Sequence, residues 1–191
     1  MTYAVREYTP TDEPSWLRCR VLSFLGTAYY DDVARTKPKV PAPGFELVAV
    51  DQRDMVVGIM DITIDGELAT IDTVAVHPDH QHRGVGRSLL TRALARSRDQ
   101  QAATLDAWTR DDADTIRWYQ AMGFAESDHY LHVYANYYTA PEEPDRAVAS
   151  PRPGLRPMMM FLHAKLAEEE QLRREFSRVH VCRRFARALW Q

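Results

Sequence analysis

The stretch VAVHPDHQHRGVGRSLL, residues 74 to 90, passes from an apolar run through a proline turn into two glycines, Gly84 and Gly86, and then into a helical pattern. Val85, Leu89, Ala93 and Leu94 recur at helical spacing with arginines on the opposite side, which predicts an amphipathic helix. The first turn of a helix carries backbone N–H groups with no partner and a partial positive charge, a setting that suits phosphate oxygens. Glycine lets the main chain come close to such a group because no Cβ stands between. Amides from about Arg83 to Ser88 are therefore placed to converge on a diphosphate, with Arg83 and Arg87 adding charge-assisted contacts.

Two better-known glycine motifs do not fit. A dinucleotide fold wants a third glycine where Leu89 stands, and a P-loop wants Lys followed by Ser or Thr. A plain helix start with glycines in a tight turn is the alternative in isolation.

Working outward, LATIDTVAV before the turn is apolar on both faces except at Thr70, Asp72 and Thr73, which predicts a central strand covered on both sides. FELVAVD and MVVGIMDITID, joined by QRD, read as an antiparallel hairpin. TYAVREY is an edge strand, TDEPSWLRCRVLSFLG a helix, AYYDDVAR a second short helix and KPKVPAPG a loop. After the central helix, AATLDAW is a strand and RDDADTIRWYQAMGF a helix with acidic residues at its start and Gly123 at its end. YLHVYANYY and MMMFLHAKL are strands, separated by a Pro-rich connection at residues 139 to 157. From about Glu168, Leu172, Phe176, Val179, Cys182, Phe185 and Leu189 fall three or four apart with arginines between, which predicts a C-terminal amphipathic helix. The expected division is a domain over residues 1–165 and a helix over 166–191, packed on that domain or on a partner subunit of a homodimer.

The 191 residues suit one α/β domain with a mixed, mostly antiparallel sheet flanked by helices and followed by that helical extension. A net charge of −3 argues against a chain-wide nucleic-acid surface, and the basic tail reads as the wet face of a docked helix. No run approaches a membrane span and the N-terminus lacks a signal-type apolar segment, so the expectation is a cytoplasmic protein. Cys19 and Cys182 have no motif spacing, and His77, His80 and His82 sit on a turn without a helical pair or a partner cysteine, so no metal site is expected.

An apolar strand ending in VAV, a proline turn, Gln81-x-x-Gly84-x-Gly86 and a helix, followed by Tyr119 ahead of Gly123-Phe124, together resemble the GCN5-related N-acetyltransferase (GNAT) superfamily. The resemblance is strongest from Leu68 to Phe124 and in element order extends from residue 2 to about 165. It implies acetyl-CoA as acyl donor, its pantetheine arm paired with the main chain of Val74, Ala75 and Val76. Its pyrophosphate would lie on Gln81, His82, Arg83, Gly84, Val85, Gly86, Arg87 and Ser88. The family often has Asn and Ala where this chain has Asp112 and Thr115, so Asp112 can cap its helix and contact the cofactor but cannot donate as Asn does.

The implied reaction is transfer of an acetyl group to a primary amine by direct attack; the alternative is a non-catalytic acyl-CoA-binding protein. Such an amine is mostly protonated at neutral pH, so a base is needed. Asp72, a carboxylate in an apolar strand, is the candidate, against the alternative of an Asp simply bonded to a neighbour. Many relatives carry a glutamate nearer Thr70 instead. Tyr119 is, by resemblance, the acid for the departing thiolate, against the alternative of a core tyrosine. GTAYYDDVAR lies where relatives form an acceptor-facing loop, so Tyr29, Tyr30, Asp31 and Asp32 are candidates to receive a cationic small-molecule or peptide amine.

Overall fold

Valine and isoleucine crowd into β2 (Phe45–Val50) and β3 (Val56–Asp65), which pair antiparallel as the sequence predicts. The computed structural model describes residues 3–148, 153–154 and 157–190. β1 (Ala4–Glu7) lies on the outer side of β2, and β4 (Leu68–Val76) pairs antiparallel with β3. β5 (Thr104–Thr109) runs parallel to β4, a pairing reached through the crossover helix α2 (Val85–Asp99). The full order is β1-β2-β3-β4-β5-β8-β6-β7, with β6 (Ala125–Asn136), β7 (Met159–Ala164) and β8 (Arg178–Ala188) all antiparallel to their neighbours. A mixed, mostly antiparallel sheet with helices on both faces is what the patterning called for.

One face packs against α2 and α3 (Ala113–Ala121), whose Leu89, Ala93 and Tyr119 join Leu47, Ile62, Ile71 and Phe185. The other is covered over β2, β3 and β4 by α1 (Glu13–Phe24), through Trp16 and Cys19 against Val48, Ile59 and Ala75. Burying these side chains supplies roughly 1.5–3 kcal/mol each relative to exposure. Short helices α4 (Glu143–Ala147) and α5 (Glu169–Glu175) flank a third cluster on β6 and β8, built on Leu131, Val133, Val179 and Val181.

The C-terminal amphipathic helix is not there. Only Glu169–Glu175 is helical; Phe176 leaves in extended conformation and residues 178–188 become β8, inserted between β5 and β6. The misreading has a clear cause. Val179, Val181 and Phe185 are buried with the helices while Cys182 is buried on the opposite face beside Tyr130, so a strand covered on both sides mimics a helical repeat.

AYYDDVAR is not a helix either: residues 27–32 form successive turns, with Tyr30 N–H on Thr27 C=O and Asp32 N–H on Tyr29 C=O. Two arginines pull this segment onto the sheet. Arg110 donates to Ala28 C=O, Arg178 donates to Ala28 C=O and to Asp31, and Tyr29 Oη accepts from Arg110 N–H at 2.9 Å. In the Pro-rich connection the described part includes α4, whose Glu143 is buried and accepts from Asn136 N–H and from the amide and hydroxyl of Ser177. Residues 149–152 and 155–156 of that connection lie outside the described residues.

Candidate active site

β3 and β4 stay paired to the end of β4, Gly58 with Val76, whereas β4 and β5 part after Ile71 with Ala107. Residues 72–76 therefore present one edge of main-chain N–H and C=O groups toward the widening gap beside β5. Such groups are obligatory hydrogen-bonding partners, so the fork is a place for a ligand with amides of its own. Alternation gives that edge the main-chain groups of Val74 and Val76, since His77 N–H bonds to Val57 C=O and so turns the groups of Ala75 toward β3. The Gln81 amide donates to Val76 C=O at 3.2 Å, tying the end of β4 to the following turn.

That turn is shaped by two residues with positive φ, His82 at 58° and Gly84 at 82°. Backbone of this kind can turn successive N–H groups into one concavity, an anion-binding nest. Gly84 is the N-cap of α2, and the first intrahelical bond runs from Ser88 N–H to Gly84 C=O at 3.0 Å. The amides of residues 85–87 thus precede the first intrahelical pair. The Ser88 hydroxyl bonds back to the same carbonyl at 3.1 Å.

The two glycines differ in what they require. A Cβ on Gly84 would meet nothing within 4 Å, so its requirement is conformational. A Cβ on Gly86 would lie 3.4 Å from the Trp118 indole nitrogen, an ordinary van der Waals contact, so neither space nor a positive φ requires glycine there. Arg87 is exposed at the first turn. Two of the nearby histidines have local work: His77 Nδ1 accepts from Asp79 N–H, and His80 Nδ1 meets Tyr3 Oη at 3.3 Å. Among the described residues no three His, Cys, Asp or Glu side chains come together as metal ligands.

Asp72 and Trp108 are each the first residue past the last β4–β5 pair, so they flank the fork. Asp72 stands at a β-bulge, where Asp61 pairs with Thr73 and Ile62 with Ile71. It is exposed rather than walled in by apolar groups; partial burial and the nearby Asp106 raise its pKa, against a hydrogen bond with Thr63. Asp106 itself is buried, accepts from Thr70 Oγ1 at 2.6 Å and pairs with Arg184. The sequence reading passed over a third carboxylate, Asp61. It is buried with Lys37, whose ammonium also reaches Glu46 and lies over the rings of Tyr8 and Trp16. Burial outweighs Lys37 and pushes Asp61 up to about 6. A charge in the middle of GIMDITID was a signal of the same kind as Asp72; Lys37, in a proline-rich loop, gave none.

Tyr119 is buried in α3, stacked on Phe185 at 5.4 Å and edge-on to Phe124, and burial raises its phenol above the ordinary value. Asp112 caps α3, its Oδ1 accepting from Thr115 N–H at 2.8 Å and Thr115 Oγ1 at 2.7 Å. The acidic pair expected to greet an amine is otherwise engaged: Asp31 binds Arg178, and Asp32 binds Arg20 at 2.9 Å.

Residues 43–126 match the acetyltransferase (GNAT) domain, so the resemblance read from Gln81, Gly84, Gly86, Tyr119, Gly123 and Phe124 is borne out. Comparison with curated protein sequences gives no match. Among solved structures, the ribosomal-protein-S18-alanine N-acetyltransferase of Escherichia coli is similar, with TM-score 0.57 and 16% identity over 100% of this chain and 96% of that one. yncA from Salmonella typhimurium, a putative acetyltransferase solved with acetyl-CoA, gives TM-score 0.58 and 16% identity over the same shares. An N-acetyltransferase from Staphylococcus aureus Mu50 gives 0.61 and 10%, over 100% of both chains. At these identities the likeness is one of fold. No helix among the described residues is long and apolar enough to cross a membrane.

Proposed function

We propose that this protein transfers an acetyl group from acetyl-CoA to a primary amine by direct attack. The observation that carries the reading is the fork: strand edge 72–76, without a β5 partner, runs into a turn and helix start in which the amides of residues 85–87 precede the first intrahelical pair. An extended chain with amides followed by a diphosphate matches that sequence of groups. Gln81, His82, Arg83, Gly84, Val85, Gly86, Arg87 and Ser88 would hold the diphosphate, and Asp112 would flank the cofactor at the start of α3.

When bound, the donor supplies an activated thioester. Backbone N–H groups of Val74 and Val76 position and polarise its carbonyl. Asp72 takes the proton an ammonium must lose before its nitrogen attacks, directly or through a water, and its raised pKa makes it a better base than an ordinary aspartate. The second proton, shed as the amide forms, goes to the departing thiolate to give the free thiol. A protonated amine is also drawn to this spot, since Asp61, Asp72 and Asp106 lie within electrostatic reach of one another along β3, β4 and β5. Tyr119 stays protonated at any working pH and serves as the hydrogen-bond donor to the departing thiolate.

The burial of Tyr119 within an aromatic stack favours the second reading, a protein that binds an acyl-CoA without turning it over. Calorimetry with acetyl-CoA tests binding, which both readings require. Thiol release across a panel of primary amines separates them: transfer requires release that drops in Tyr119→Phe and Asp72→Asn, whereas binding with no release from any amine leaves the sensor.

A further inference from the structure

The face of the sheet that carries the fork continues, uncovered by α1, across β6 and β7. Ala69 and Ile71 pack with α2 and α3, so Thr70 lies on the opposite, α1 side. Its bond to Asp106 puts Asp106 there, and alternation along β5 puts Trp108 there too. From Trp108 the rings run on without a break: Trp108 to Tyr130 is 5.0 Å, Tyr130 to His163 is 4.5 Å, His163 to His132 is 4.9 Å and nearly parallel, and His132 to Phe161 is 4.6 Å.

The ends of this surface are open to solvent, Trp108 37% and Phe161 52% exposed, while Tyr130 and His132 between them are half-buried. His132 carries no charge at neutral pH, because burial and Arg110 lower it to about 4. The charge instead sits at the inner end, where Asp72 bonds to Thr63 but has no cationic partner among the described residues, while Asp106 has Arg184 and Asp61 has Lys37. An apolar, aromatic floor that ends at an unpaired carboxylate is complementary to one kind of molecule, a planar aromatic body bearing an ammonium.

Resting on the transferase reading above, we infer that the ring surface from Trp108 through Tyr130 and His163 to Phe161 seats the aromatic portion of the amine acceptor. The amine is thereby directed into the fork beside Asp72. Ring-on-ring contact, more than acidic residues of the 27–32 loop, would then set acceptor preference, since Asp31 and Asp32 are already held by arginines.

The test compares tryptamine with hexylamine, both primary amines protonated at neutral pH. Calorimetry on the CoA-saturated protein should find tryptamine bound about fivefold to tenfold more tightly. Trp108→Ala and, independently, Phe161→Ala should bring that ratio close to one, while Met55→Ala, an exposed apolar control on the β2–β3 turn, leaves it unchanged. An absent preference in the wild type, or one that survives both substitutions, overturns the inference. So does sedimentation showing that Phe161→Ala splits a dimer without altering the ratio, which gives the surface to a second copy of the chain. Thiol release is followed in parallel. Release from hexylamine without aromatic preference removes the platform alone; aromatic preference in binding without release from either amine supports the platform and removes the transferase reading.

Discussion

Arg178 grips Asp31 with two hydrogen bonds, 2.7 and 3.1 Å long, from strand β8 to the loop after α1. The same guanidinium lies 3.9 Å above the Tyr134 ring and 4.7 Å from that of Tyr30, so one side chain fastens the loop by charge and by π contact. Asp31 is more than a third exposed, so solvent weakens the ionic part. Arg178→Ala should cost about 1 kcal/mol in urea unfolding and speed hydrogen exchange at Tyr29 and Tyr30 well beyond that at β3. Asp31→Asn combined with Asp32→Asn should leave acceptor KM unchanged, because neither carboxylate is free to meet the amine.

Asp72→Asn separates activity from stability. Its folded pKa lies above the ordinary aspartate value, so its charged form opposes folding at neutral pH, and that opposition fades as pH falls through the folded pKa. Neutralising it should hold or raise Tm while lowering kcat by about a hundredfold, within the usual range for loss of a general base. The acid limb of the kcat profile, where Asp72 protonates, should vanish with it. A lowered Tm with unchanged kcat would make Asp72 a structural residue.

Asp61 gives the fold a pH signature of its own. With a folded value of about 6 against 3.8 for the free group, the folded protein binds the extra proton between those values, so stability should fall as pH rises through that window. The expected change is about 3 kcal/mol in urea unfolding, and Asp61→Asn should flatten it. Asp12 and Asp111, both lowered to about 2 by their cationic partners, act in the opposite sense and at lower pH, losing their contribution below 3.8. Their loss cannot mask the upper window.

Gly84 and Gly86 should respond differently to the same added methyl group. Gly84→Ala forces a side chain into a left-handed conformation at a cost of about 1–2 kcal/mol, and Gly84→Asn should recover part of it. Gly86→Ala meets only ordinary contact with Trp118 and replaces a helix-weakening glycine inside α2, so its Tm should hold or rise. Acetyl-CoA affinity, measured on each variant, should fall most for Gly84→Ala.

The glycine turn and the cap at Asp112 were legible because each rests on local rules, unpaired first-turn amides and a capping side chain, whereas the splayed strand came only from the family resemblance. What stayed hidden is set by residues far apart in sequence. Arg110 and Arg178 hold Ala28 and Asp31 out of a helix that local propensity favours. Lys37 is buried against Asp61 and Glu46 although its own segment is a polar, proline-broken loop. The spacing of Val179, Cys182 and Phe185 suits a helix or a doubly covered strand equally, and only the vacant place between β5 and β6 decides. Trp108 carried no pattern at all; its importance comes from standing where β4 and β5 part.

The position of β8 bears on how the chain reaches this structure. Thr104 pairs with Ala188, so a strand made early waits for one made much later, and meanwhile both β5 and β6 have bare edges. Docking of residues 178–188 should be a late step in refolding, with slow kinetics for a domain of this size and a window in which exposed strand edges of different molecules can find each other. A supplied peptide spanning those residues would shorten that window, making this late strand the one that governs the yield of folded protein.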